Sequence, residues 1–176
     1  PKEAEDLGKA KEVLAEIPQF LNRPTVLGIG EIGLNKNTPN EAQVFQQHVQ
    51  MAIDTWKGTG DRGQGSAQAT RSGPSPLTPD PSHHLILIHT PHLEDKLKGT
   101  RWTLDMLREF GSKIDHARVL IDHVEEHTIK MVLDEGYWAG TTLYPVSKVT
   151  PQRAVDMFEM YGAERLMVNA AADWGV

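Results

Sequence analysis

Residues 119–144 read VLIDHVEEHTIKMVLDEGYWAGTTLY. The apolar run Val119-Leu120-Ile121 finishes in Asp122-His123. From about Glu125 to Glu135 the apolar residues recur at helical spacing, and Gly136 ends the stretch. Trp138 to Tyr144 is again a strand-like run. A strand, a helix and a second strand joined so closely form the unit from which parallel sheets are built.

The same rhythm extends in both directions. Upstream, Ala4 to Phe20 reads as a helix, and Thr25-Val26-Leu27-Gly28-Ile29-Gly30-Glu31 as a strand. Thr38-Pro39-Asn40-Glu41 then supplies an N-cap, a proline at the first helical position and an acidic third residue. In the helix that follows, Val44, His48, Met51 and Ala52 are expected on one face. Leu85-Ile86-Leu87-Ile88-His89 is the next strand, with a helix near Trp102 to Phe110 that stops at Gly111. Downstream, Thr150-Pro151 opens a helix in which Ala154, Phe158 and Tyr161 share a face. Leu166-Met167-Val168-Asn169 is the last strand. Met106, Met131, Met157 and Met160 read as helix packing. Five nearly continuous apolar strands alternating with helices predict a parallel α/β fold covered on both faces of its sheet. Polar residues gather at the C-terminal ends of the strands, where barrels and open α/β sheets both place their sites.

Residues 57–84 break the rhythm. KGTGDRGQGSAQATRSGPSPLTPDPSHH has Leu77 as its only large aliphatic residue. Such a stretch cannot bury enough apolar surface to offset its ordering entropy, so it is expected to be either a disordered insertion within a single domain spanning 1–176 or non-native sequence such as translated intron.

The chain has no cysteine but eight histidines, so a metal site here must use imidazole and carboxylate rather than thiolate. Freedom from cysteine fits a reducing, cytoplasmic compartment. A net charge of −6 without a basic run excludes duplex binding by bulk charge, so a nucleic-acid substrate would be held locally. No apolar run is long enough to cross a bilayer, and the first residues are not a signal peptide. No membrane partner is expected, and nothing in the sequence sets the oligomeric state.

Four strand ends finish in a residue able to bind a hard or borderline metal: Glu31, His89, His123 and Asp173. Two imidazoles and two carboxylates suit Zn²⁺ or Mn²⁺, and a bridging carboxylate can hold a second ion. Each has a plain alternative: Glu31 and Asp173 as turn carboxylates, His89 and His123 as strand-end histidines. His92 and Glu125 are candidates to orient a ligand, and Trp174 to line a pocket. Asp122, next to His123, is expected to point away from it by strand alternation. His48, His83, His84, His116 and His127 take structural readings. Gly28, Gly30 and Gly33 do not make a dinucleotide loop, because no helix opens directly after them.

Gly-Glu-Ile-Gly-Leu at 30–34, Ile-His-Thr-Pro at 88–91, Asp-His at 122–123 and Ala-Asp-Trp-Gly at 172–175 together resemble the TatD-type hydrolases of the amidohydrolase superfamily. The similarity in order and spacing runs from about Val26 to the end, apart from the insertion. It implies a metal-dependent (β/α)₈ TIM-barrel, with Zn, Mn or Mg as the divalent ion and a phosphodiester substrate, as in a deoxyribonuclease. Glu31 would match the bridging carboxylate, and His89 and His123 ligands from later strands. Asp173 would match the last-strand aspartate, which binds metal and takes a proton from the attacking water. The family's first-strand His-x-His pair has no counterpart, and residue 35 is Asn where the family usually has Asp. The expectation is therefore an N-terminally incomplete barrel of about five strand–helix units. Two other functions fit the residues: an amidase or lactonase of the same superfamily, and an inactive truncated barrel serving in binding or assembly.

Overall fold

The computed structural model describes residues 2–57, 84–91, 96–144 and 148–171. A 3₁₀ turn over Lys2–Glu5 leads into α1 (Leu7–Leu21), whose N-terminus is capped by the Asp6 carboxylate. The order then is β1 (Gly28–Gly33), α2 (Pro39–Lys57), β2 (Leu85–His89), α3 (Lys96–Glu109), β3 (Val119–Asp122), α4 (Ile129–Asp134), β4 (Trp138–Leu143), α5 (Pro151–Tyr161) and β5 (Leu166–Ala170).

The five strands form one sheet in the order β1-β2-β3-β4-β5, and each neighbouring pair is parallel. Spatial order equals chain order, with a helix in every crossover. Since such crossovers share one hand, the helices all fall on one face and the sheet curls around the other. A doubly wound sheet would instead reverse its strand order at a switch point. The arrangement is an arc of a parallel barrel, with β1 and β5 at its edges among the described residues.

The core lies between the sheet and its helices. Ile29, Ile32, Ile86, Ile88, Val119, Ile121 and Ala139 point outward from the arc, into a cluster with Phe45, Val49, Ala52, Ile53, Leu104, Leu107, Ile129 and Val132. The opposite face is not covered as the apolar runs suggested. Leu85 is 49% exposed there, and Leu87 and Leu120 are only half-buried. On that inner face the strand-end polar residues stand.

Helix α2 starts as its sequence dictates. Thr38 Oγ1 accepts from Glu41 N–H at 3.2 Å, and Glu41 Oε2 accepts from Thr38 N–H at 3.1 Å. The buried Glu41 carboxylate also takes the Lys36 N–H, at 3.0 and 3.1 Å to its two oxygens. Thr38→Ala is expected to cost about 1 kcal/mol, the usual value of a lost cap. Urea unfolding measures it, and an unchanged midpoint would show that the box does not support the helix.

Several sequence expectations shift. The inward face of α2 is Phe45, Val49, Ala52 and Ile53, while Val44, His48 and Met51 are half-buried. Helix α3 begins at Lys96, well before Trp102, and α4 begins at Ile129, so Glu125 and His127 precede it in a turn. His116 sits in a 3₁₀ turn stacked on Tyr137, and Met160 is exposed rather than packed. Residues 58–83 lie outside the described residues. Lys57, expected in the insertion, ends α2 instead. His84 is buried, with Nδ1 3.0 Å from Thr55 Oγ1, and its carbonyl accepts from Trp56 Nε1 at 2.9 Å.

Candidate metal centre

Strand β1 carries a bulge. Ile29 pairs with Ile86 and Ile32 with Ile88, so three steps on β1 face two on β2. An extra residue re-aims the side chains around it. Here both isoleucines stay in the core while Glu31 stands on the inner face. Gly30 is required where the strands come close, because a Cβ would lie 2.6 Å from Leu87 Cβ.

His89 ends β2, two residues beyond Leu87 and on the same inner face. Its register partner on β3 is Asp122, so Asp122 faces the same way. Alternation would then turn His123 outward. It does not, because His123 adopts a left-handed backbone with φ of 63°. That conformation costs a non-glycine residue about 1 kcal/mol or more, so it persists only where its surroundings hold it. Two groups do so. Asp122 Oδ1 accepts from His123 N–H at 2.7 Å, and the buried Lys96 ammonium donates to the His123 carbonyl.

The imidazole thereby reaches Glu31. Glu31 Oε1 lies 2.9 Å from His123 Nε2 and 2.9 Å from His89 Nδ1. The rings meet edge-on, with centroids 4.6 Å apart and planes at 80°. Contact with His123 and then His89 holds the Glu31 carboxyl well below the usual carboxylate range, against the opposing effect of partial burial. One ligand atom from each of the three residues falls within 4.8 Å of the others. This is a convergent set of two imidazole nitrogens and a carboxylate at the C-terminal ends of three adjacent strands. In donor type and spacing it suits a borderline divalent cation with further donors added.

Of the other anticipated residues, Asp173, Trp174 and His92 lie outside the described residues. Ala171 N–H still bonds the Leu143 carbonyl at 3.2 Å, so the chain follows β4 to within two residues of Asp173. The Glu125 carboxylate is directed to cations rather than to a ring nitrogen. It pairs with Lys96 at 3.2 Å and Arg153 at 2.9 Å, and so braces the cation that holds His123.

Sequence reasoning missed Lys96, Thr142 and Asn169, and placed Asp122 wrongly. Thr142 Oγ1 is 2.6 Å from His123 Nδ1 and 3.1 Å from Asp122 Oδ1, and Asn169 Nδ2 donates to Asp122 Oδ2 at 2.7 Å. Asn169 and Thr142 are register partners on β5 and β4, which puts both on the inner face with Asp122. Cross-strand register was the signal that could have found them. His48, read as purely structural, also lines a cleft of about 590 Å³ that opens on Glu31 between α1 and α2.

No protein-family model matches the chain. An uncharacterized metal-dependent hydrolase of Methanocaldococcus jannaschii is 24% identical over 155 residues, covering 88% of this chain and 49% of that protein. The crystal structure of a TatD-like protein from Archaeoglobus fulgidus superposes with a TM-score of 0.56 at 26% identity, covering 87% of this chain and 48% of that one. The fold is thus that of part of a parallel (β/α) barrel, and the chain is similar in sequence to a metal-dependent hydrolase. In structure it is similar to the TatD-like protein of Archaeoglobus fulgidus. It spans about half the length of both relatives.

Proposed function

We propose that this chain carries the greater part of a divalent-metal site in a hydrolase that cleaves phosphodiesters, in the manner of a TatD-type deoxyribonuclease. One observation carries the reading: Glu31, His89 and His123 meet at a single point from three adjacent strand ends. A cation bound there supplies Lewis acidity, which makes water acidic enough to attack near neutral pH and polarises the bond to be cut. Glu31 holds the ion through its carboxylate, with the two imidazoles beside it. By the TatD resemblance, Asp173 would complete the set and take a proton from water. With a net charge of −6, the protein binds its substrate through this site and the side chains around it rather than by bulk charge. The setting is cytoplasmic. No helix among the described residues is long and apolar enough to cross a membrane.

The same donors serve ester or amide hydrolysis, and the TatD likeness is what favours the phosphodiester. Titration calorimetry with Mn²⁺, Zn²⁺ and Mg²⁺, beside a chromogenic phosphodiester assay, tests the reading. Asp173→Asn is expected to lower turnover about 100-fold or more, since the amide cannot take the proton, with a smaller loss of metal affinity. Joining a preceding strand that ends in His-x-His is expected to strengthen binding and raise turnover. If that joined protein binds none of the three ions, the reading fails.

A further inference from the structure

Asp122 is buried on the inner face, and as a carboxylate it can only accept hydrogen bonds. Three donors converge on it: His123 N–H at 2.7 Å, Asn169 Nδ2 at 2.7 Å and Thr142 Oγ1 at 3.1 Å. The strand beside it leaves the room, since a Cβ on Gly140 would lie 2.6 Å from Asp122 Oδ1. The Thr142 contact must use the hydroxyl hydrogen, and a hydroxyl has only one. The 2.6 Å contact between Thr142 Oγ1 and His123 Nδ1 must then use the hydrogen on the imidazole. A neutral imidazole carries a single N–H, so Nε2 is left with its lone pair directed at Glu31 Oε1, 2.9 Å away. Two acceptors at that distance are bridged either by a proton, which makes the ring imidazolium, or by a metal ion, which leaves it neutral.

We infer that Thr142, oriented by Asp122, is a positioning residue that holds neutral His123 as the Nδ1–H tautomer and so presents Nε2 as a metal ligand. The inference rests on the reading of Glu31, His89 and His123 as a cation site. An outer-shell partner of this kind sets both ring orientation and tautomer. Here the device is two steps long, carboxylate to hydroxyl to imidazole. It spans two strands, and Asn169 on a third holds its far end.

The test begins with the unaltered protein, free of metal, at about pH 8.5, above the ordinary imidazole range. Nitrogen-15 NMR of the imidazoles, with His123 assigned through a His123→Gln variant, should show a pyrrole-type nitrogen at Nδ1 and a pyridine-type nitrogen at Nε2. Thr142→Val should abolish that preference and raise the Zn²⁺ or Mn²⁺ dissociation constant by about 10–100-fold. Thr142→Ser, which keeps the hydroxyl, should restore both. An Nε2–H tautomer in the unaltered protein overturns the inference, even if Thr142→Val fails to fold. So does a Thr142→Val protein that keeps both tautomer and affinity. Ions binding to a protein with the Nε2–H tautomer would sink this positioning role and leave the metal site standing. The expected tautomer, lost in Thr142→Val, in a protein that binds no ion would uphold the positioning of His123 and sink the metal site.

Discussion

Glu31→Ala is expected to lower Mn²⁺ and Zn²⁺ affinity by more than about 100-fold, beyond the roughly 10–100-fold that losing an outer-shell partner costs. Glu31 Oε1 is the atom on which His89 Nδ1 and His123 Nε2 converge, each at 2.9 Å. Alanine removes the only carboxylate of the described cluster and the negative charge that balances a divalent ion. Glu31→Gln separates the two contributions. It keeps the volume and one oxygen but not the charge, so its affinity should fall between alanine and the unaltered protein. Calorimetry on the three proteins checks this. If Glu31→Ala bound either ion within about threefold of the unaltered protein, the three-residue site would be disproved. The variant should remain folded, because the Glu31 side chain is 42% exposed and lies outside the core cluster.

Lys96→Ala is expected to destabilise the fold by about 3 kcal/mol, the lower end for breaking a buried ion pair by removing one partner. Lys96 is 2% exposed, and its ammonium bridges Glu125 and the carbonyl of left-handed His123. The lower end applies because Glu125 is partly exposed and keeps Arg153. Burial pushes the Lys96 ammonium below its ordinary range, opposed mainly by Glu125. Lys96→Met retains most of the apolar stem and should recover part of the loss. An Ala variant with an unchanged urea midpoint would show that Lys96 is not what holds His123.

The same cluster gives a pH signature. Burial raises the Glu125 carboxyl, but Lys96 and Arg153 together outweigh it and hold the group below the usual carboxylate value. A depressed folded pKa means the unfolded chain takes up the proton first. The stability Glu125 contributes is therefore complete above its ordinary value of 4.5 and is lost as pH falls through the lower folded value. Lys96→Met should flatten this acid limb.

Local chemistry made much of the fold legible. Thr38, Pro39 and Glu41 place the start of α2 wherever that helix packs, because a capping box is satisfied within four residues. The apolar runs at 85–89, 119–122 and 166–170 mark strands for the same reason. Lys96 was hidden because the first turns of α3 bury Lys96, Gly99 and Thr100, which carry no apolar periodicity. Gly99 is there because Pro91 and Asn37 side chains approach to about 2.4–2.5 Å of where a Cβ would stand. Only the packed structure reveals that demand.

By itself, the sequence determined the strand–helix alternation, the parallel class and three of the strand-end residues that meet, since each depends on periodicity or on a motif along the chain. The tertiary structure decided which of Asp122 and His123 departs from alternation. Alternation holds only while the backbone stays extended, and His123, held by Lys96 and Asp122, leaves the extended region just as its strand ends. It also decided that Thr142 and Asn169 serve the site. Their role comes from register between neighbouring strands, which is set by contacts between residues distant in sequence.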